Sequence, residues 1–348
     1  MTSATRPLDR EAPSRLHPIT GWSLKHFGSL DEASPGFLWA AMQASSLWKN
    51  ACRLAFAHGL HADAGVADPV HFAVTLRASK PDDIILEALG TLPVGLMGAL
   101  ARVGPDGLCS EESYRRLAAI HSNPASPDRR KAAVLRHLQV IDDEVIAVVD
   151  TVRADLLSPT IVSSIPNRTF AAHLNALAAA IEAHCTHASG RAIRRSLEAS
   201  TPGRRLDDWA RGWLERADVF PTPPFSGDDD VRPLSPADLR RAGRRFRNCL
   251  GTKLGYLLSG QLAFFECVPE RAIAVTVKLS DGWLLTRIHG VGNCRVPEGV
   301  QALIRAKFRR RGVRTLEPEK PQTASAPVAM LFDGWGGGLI DLEDFGDS

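Results

Sequence analysis

Apolar positions recur at steps of three and four through most of residues 1–225, the period of a helix with one buried stripe, and Pro and Gly punctuate the runs. The spacing predicts helices over 37–58, 81–89, 110–121, 128–157 and 167–197. The clearest is 128–157. Ser126 stands where a cap is needed, Pro127 suits the first turn, and Val134, Leu138, Ile141, Val145, Val148, Val152 and Leu156 form one stripe. Asp142, Asp143 and Glu144 fall on the far side of that stripe. Paired carboxylates can do acid–base work, but the pattern reads as a solvated face.

The period changes after residue 219. Residues 219–236 hold five prolines and three successive aspartates, the composition of a linker or ordered loop. A helix over 237–248, with Ser235 as cap, carries Arg240, Arg241, Arg244 and Arg245 on one stripe. Three strand-like runs follow, 261–268, 271–279 and 283–289, and then a helix over 297–311. Asp281-Gly282 suits the two positive-φ positions of a type I′ hairpin turn. With Ser280 opposite Trp283, Val275 opposes Ile288, Val277 opposes Thr286 and Leu279 opposes Leu284; with Ile273 these make the packed face. Ala274 then opposes His289, Thr276 opposes Arg287 and Lys278 opposes Leu285, so Arg287 and His289 project together from a solvated face.

The expected fold class is α+β. A mainly helical domain (1–220) and a linker (221–236) precede a basic module (237–314) of helix, three-stranded antiparallel sheet and helix, which an acidic, apolar tail follows (315–348).

Charge sharpens this division. Of 348 residues, Lys and Arg number 24 against 27 Asp and Glu over 1–231, 17 against 5 over 232–314, and 1 against 7 over 315–348. The middle block is therefore +12, between −3 and −6. Such a block points to a polyanionic partner, most often nucleic acid, although an arginine-rich surface with no such partner gives the same count. The tail alternates acidic and large apolar residues over 328–348, which suits docking on a protein partner or on the basic module, or a terminal strand added to a sheet.

Several chemistries find little support. No apolar run is long enough to span a bilayer, and Asp9, Glu11 and several prolines occupy the place of a signal peptide, so a cytoplasmic protein is expected. The six cysteines, at 52, 109, 185, 249, 267 and 294, include no Cys-x-x-Cys pair, which argues for reduced thiols. His173 and His184 fall within roughly 20° on a helix, near Cys185 and His187, but without metal-ligand spacing. Neither metal nor cofactor is expected.

Arg244-Arg-Phe-Arg-Asn248-Cys249-Leu250-Gly251, the run from Ser259-Gly260-Gln261, and Arg287-Ile-His289-Gly290-Val-Gly-Asn293 resemble the C-terminal domain of PcfJ-like proteins. The likeness covers roughly 234–314. Cys249, Gly251, Gly290 and Asn293 match the family pattern, and His289 takes its basic position. Asn248 stands where the family has His, and Arg287 where it has Gln. The resemblance implies a plasmid, mobile-element or defence context rather than a reaction.

The expected function is nucleic-acid binding, to DNA or RNA, through Arg240, Arg241, Arg244, Arg245, Arg287 and Arg309. A second possibility is an enzyme acting on nucleic acid with Cys249 as nucleophile, His289 as base and Asn293 in the site. A helix C-terminus disfavours a thiolate, so a small buried Cys249 is the expected role there. The third is an adaptor whose tail recruits a partner while the basic block complements that tail.

Overall fold

A computed structural model describes residues 16–60, 68–123, 125–200 and 205–316. The chain divides into two compact units, Met1–Val219 and Phe220–Ser348.

The described part of the first unit is helical: α1 (Leu24–Ala33), α2 (Phe37–Gln43), α3 (Ser46–Ala57), α4 (Pro69–Ala78), α5 (Pro81–Leu89), α6 (Leu96–Leu100), α7 (Glu111–Ser122), α8 (Ser126–Leu135), α9 (Asp143–Thr151), α10 (Pro159–Ser164), α11 (Arg168–His184), α12 (Gly190–Glu198) and α13 (Leu206–Leu214). Its centre is α3, buried from Lys49 to Ala57. The Asn50 amide there donates to the carbonyls of Leu100, Val103 and Gly104, while its oxygen accepts from Tyr114 Oη at 2.8 Å and from Arg53. These bonds satisfy backbone groups that burial would otherwise leave unpaired.

Three of the long predicted helices are broken in two. The 128–157 run is α8 and α9, because Ile141 pairs with the Arg102 carbonyl and Asp142 caps a new helix by accepting from Val145 N at 2.8 Å. Asp143 is engaged as well, accepting from Cys109 N and Ser113 Oγ. Ala125, not Ser126, holds the cap position of α8. Ser45 divides 37–58 and Ser189 divides 167–197 by the same capping chemistry.

The second unit is a sheet with helices on both faces. Its strands are β1 (Val231–Pro233), β2 (Leu262–Cys267), β3 (Ala272–Leu279), β4 (Gly282–His289) and β5 (Arg314–Thr315), in that spatial order. The sheet is thus five-stranded and mixed, where three antiparallel strands were expected. The two short edge strands lack a readable period; β1 pairs antiparallel with β2, and β5 pairs parallel with β4. Helix α14 (Pro236–Phe246), a 3₁₀ turn (Cys249–Thr252) and α15 (Leu254–Leu258) connect β1 to β2, and α16 (Glu298–Arg310) connects β4 to β5.

The segment read as a linker is built into this unit. Phe225 stacks on Phe265 at 4.6 Å between centroids and meets Phe308 edge-on at 5.3 Å. Leu234 is buried, and its N–H donates to the Phe264 carbonyl at 2.8 Å. Proline-rich composition signals a lack of regular structure, which does not imply a lack of packing. Alternate residues of the strands point to opposite faces. Ala263, Phe265, Ala272, Ala274 and Leu285 form a core with Ile304 and Phe308 of α16. Phe264, Ile273 and Val275 face the α14 side.

The hairpin joining β3 and β4 differs from the expected register. Its turn is Ser280-Asp281, with Leu279 opposite Gly282. Neither turn residue has positive φ; Gly282 does, at 148°. A β-bulge at Val275/Thr276 then leaves Thr286 without a partner, and its hydroxyl donates to the Val275 carbonyl. Beyond the bulge Val275 opposes Arg287 and Ile273 opposes His289. One extra residue swaps faces, so Arg287 and His289 join the apolar face that was expected to exclude them.

Candidate nucleic-acid interface

Helix α14 begins at Ser235, the N-cap, whose N–H and hydroxyl both donate to the Asp238 carboxylate. Its buried side is Leu239, Ala242, Gly243 and Phe246, which leaves Arg240, Arg241, Arg244 and Arg245 exposed. Arg241 stands 4.0 Å from Asp238; Arg245 pairs with Glu266 and lies over the Phe246 ring at 5.4 Å. The helix ends at Arg247, in the left-handed region at φ 50°. From 236 to 258 the chain holds six basic residues, Lys253 and Arg247 included, against one acidic residue, Asp238.

In the opposite layer three basic residues meet carboxylates. Lys307 Nζ lies 2.7 Å from Glu270 and 3.0 Å from Asp230, Arg311 pairs with Asp228, and Arg314 sits 2.6 Å from Asp281. The Arg311 guanidinium holds the Asp228 carboxyl down at about 2. Burial alone would lower the Lys307 pKa, but its two carboxylates raise it. Arg309 is exposed on α16, in this layer, so the six expected arginines do not share one surface.

The α14 layer also contains a cleft. Asn248 ends the chain reversal after Arg247 and caps the 3₁₀ turn by accepting from Leu250 N at 3.2 Å. Gly243 permits the close fit: a β-carbon there would lie 3.2 Å from Gly251 N and 3.3 Å from Asn248 O. Cys249 is exposed and opens a new turn, where a small buried thiol at a helix C-terminus was expected. Asn248, Cys249, Lys253, Arg287, His289 and Asn293 line the cleft over a floor of Leu250, Phe264, Ile273 and Val275. Its volume is about 30 Å³. Burial lowers the His289 pKa and the Arg287 charge lowers it further, which favours neutral imidazole. Asn293 adopts φ 57° between Gly292 and Cys294.

The structure thus brings together Cys249, His289, Asn293 and Arg287, although no hydrogen bond joins Cys249 to His289 among the described residues. Lys253 was missed as a site residue; only its place in the basic run signalled it. The tail residues 328–348 lie outside the described residues. His173 and His184 both sit on α11; His184 Nδ1 lies 2.8 Å from the Val219 carbonyl, while His187 stacks on Trp213. Among the described residues no cluster of three or more His, Cys, Asp or Glu could hold a metal, and no helix is long and apolar enough to cross a membrane. No family model, curated protein or solved structure gives a significant match to the chain.

Proposed function

We propose that the second unit binds nucleic acid, with the outer face of α14 contacting phosphates. The observation that carries this reading is the unequal charge of its two helical layers. Asp228, Asp230, Glu270 and Asp281 meet Arg311, Lys307 and Arg314 on the α16 side, whereas on the α14 side the described carboxylates are Asp238 and Glu266, beside six basic residues over 236–258. An exposed row of guanidiniums on a rigid helix suits phosphate oxygens, which planar Arg engages through paired donors. The likeness of 244–251 and 287–293 to PcfJ-like proteins supports a plasmid or mobile-element setting. Binding of a labelled oligonucleotide to the full chain tests the reading: Arg240→Ala with Arg244→Ala should weaken it strongly, and Arg309→Ala should weaken it less. Undiminished affinity in the double variant would refute it.

A second reading has its own observation, the meeting of Cys249, His289 and Asn293 in one cleft. It makes the module a nucleic-acid enzyme with a thiol nucleophile. Metal-independent strand cleavage, lost in both Cys249→Ser and His289→Ala, is the result it requires.

A further inference from the structure

We propose that a groove lined by α2, the start of α3 and the α4–α5 junction is a binding site for a small apolar carboxylate, an aromatic or medium-chain acid. The groove belongs wholly to the first unit, so it stands or falls independently of the nucleic-acid reading.

The helical period builds one wall. Phe37, Ala40, Ala41 and Ala44 share a face of α2 and its end, and the three alanines leave the space that longer side chains would fill. Ser45, Trp48 of α3, Arg77 of α4 and Pro81 of α5 complete the lining. Its aromatic part is fixed in advance. Phe37 and Trp48 lie 6.2 Å apart between centroids, buried Phe27 lies 6.3 and 6.4 Å from them, and Trp48 Nε1 donates to the Ser79 carbonyl at 3.3 Å. A preformed wall spares a ligand the cost of ordering it. The volume, about 350 Å³, falls within the roughly 300–1,000 Å³ of small-molecule sites.

The remaining donors decide the ligand's charge. With the indole N–H committed, the side-chain donors left in the lining are the Arg77 guanidinium and the hydroxyl of Ser45, whose oxygen already accepts from Trp48 N at 3.2 Å. Arg77 has no ion pair or hydrogen bond among the described residues, and no carboxylate lines the groove. Its charge repels a cation, whereas a carboxylate can accept two parallel N–H bonds from it. Arg77 is exposed while Phe37 and Ala41 are buried, so the cation lies toward solvent and the apolar bed beneath it. That polarity suits an acid whose charged end stays at the mouth while its apolar body covers Phe37, Trp48 and the alanines.

The test titrates the full chain with 2-naphthoate and with 2-naphthylmethanol, its neutral counterpart, by isothermal calorimetry. The expected result is a preference for the acid of roughly fivefold, the size of an exposed ion pair, falling to about one in Arg77→Gln. Ala40→Leu fills the groove and should weaken both ligands by more than roughly tenfold; Ala44→Leu repeats that comparison should Ala40→Leu fail to fold. No binding of naphthoate, equal affinities for acid and alcohol, or affinity indifferent to both leucine variants would overturn the proposal. A peptide of residues 328–348 is titrated in parallel, and the oligomeric state is read by sedimentation. Peptide binding or self-association that Ala40→Leu abolishes, with naphthoate unbound, would assign the groove to a chain segment or a second copy and equally overturn it.

Discussion

Gly243 joins the basic helix to the cleft. In an ordinary helix interior, Gly→Ala gains about 1 kcal/mol. At Gly243 the new methyl would press on two backbone atoms, Gly251 N and Asn248 O, which cannot rotate away. Overpacking costs about 1–3 kcal/mol, so Gly243→Ala should lower the melting temperature. Gly255→Ala, where nothing lies within 4 Å of the added carbon, should raise it. Thermal melts of the two variants check the contrast, and a rise in both would contradict the close fit. Residue identity alone revealed Arg287 and His289 as neighbours on one face, because residues two apart in a strand always are. It could not reveal which face, because the bulge at Thr286 depends on how β3 and β4 settle against two different helical layers. Cys249 was misplaced for a related reason: the end of α14 at Arg247 follows from a left-handed residue that no glycine announced.

At the scale of elements, the apolar period located helices well and their ends poorly. The stripe from Val134 to Leu156 is real in composition, since most of its members are buried, yet only Val134, Val145 and Val148 lie in helices, and Leu138, Ile141, Val152 and Leu156 lie in the segments that follow α8 and α9. Buried turn residues keep the same spacing as a helical stripe; the cap at Asp142 was the available signal, hidden because Asp also reads as a solvated residue. Asp142→Ala removes the bond to Val145 N and should cost about 1 kcal/mol, measured by denaturant unfolding; no change would argue for one continuous helix. The segment 221–236 posed the reverse problem, because proline and aspartate concealed Phe225, Val231 and Leu234 as core residues. Its acids have structural work. Asp228 has a folded pKa of about 2, below the ordinary value near 3.9. Its contribution is therefore present above about pH 4 and is lost as pH falls toward 2. Relative to Asp228→Asn, the wild-type chain should lose melting temperature across that window, and parallel pH profiles would show that the Arg311 contact contributes nothing.

At the scale of the whole molecule, the net charge of +3 conceals the arrangement that matters. Counting along the chain found the +12 block, and folding redistributes it. Asp228 and Asp230, counted with the acidic first region, meet Arg311 and Lys307, while the carboxylates described on the α14 side are Asp238 and Glu266. Division at Val219 and Phe220 gives the sheet, both of its helical layers and the aspartates of 228–230 to one unit. That reassignment makes the proposed interface one-sided, and it was illegible from composition because ion pairs distant in sequence create it.

One-sidedness has a direct consequence for binding. Each phosphate neutralised on a duplex contributes roughly −0.9 to the slope of log K against log salt, so four α14 arginines engaging four phosphates give about −3.6. The decisive measurement is that slope, determined by anisotropy on a labelled duplex for the full chain and for Arg240→Ala with Arg244→Ala. The account predicts a slope shallower by about 2 in the double variant, with affinity reduced across unrelated sequences alike. An unchanged slope, or no binding by the wild-type chain at low salt, would contradict it.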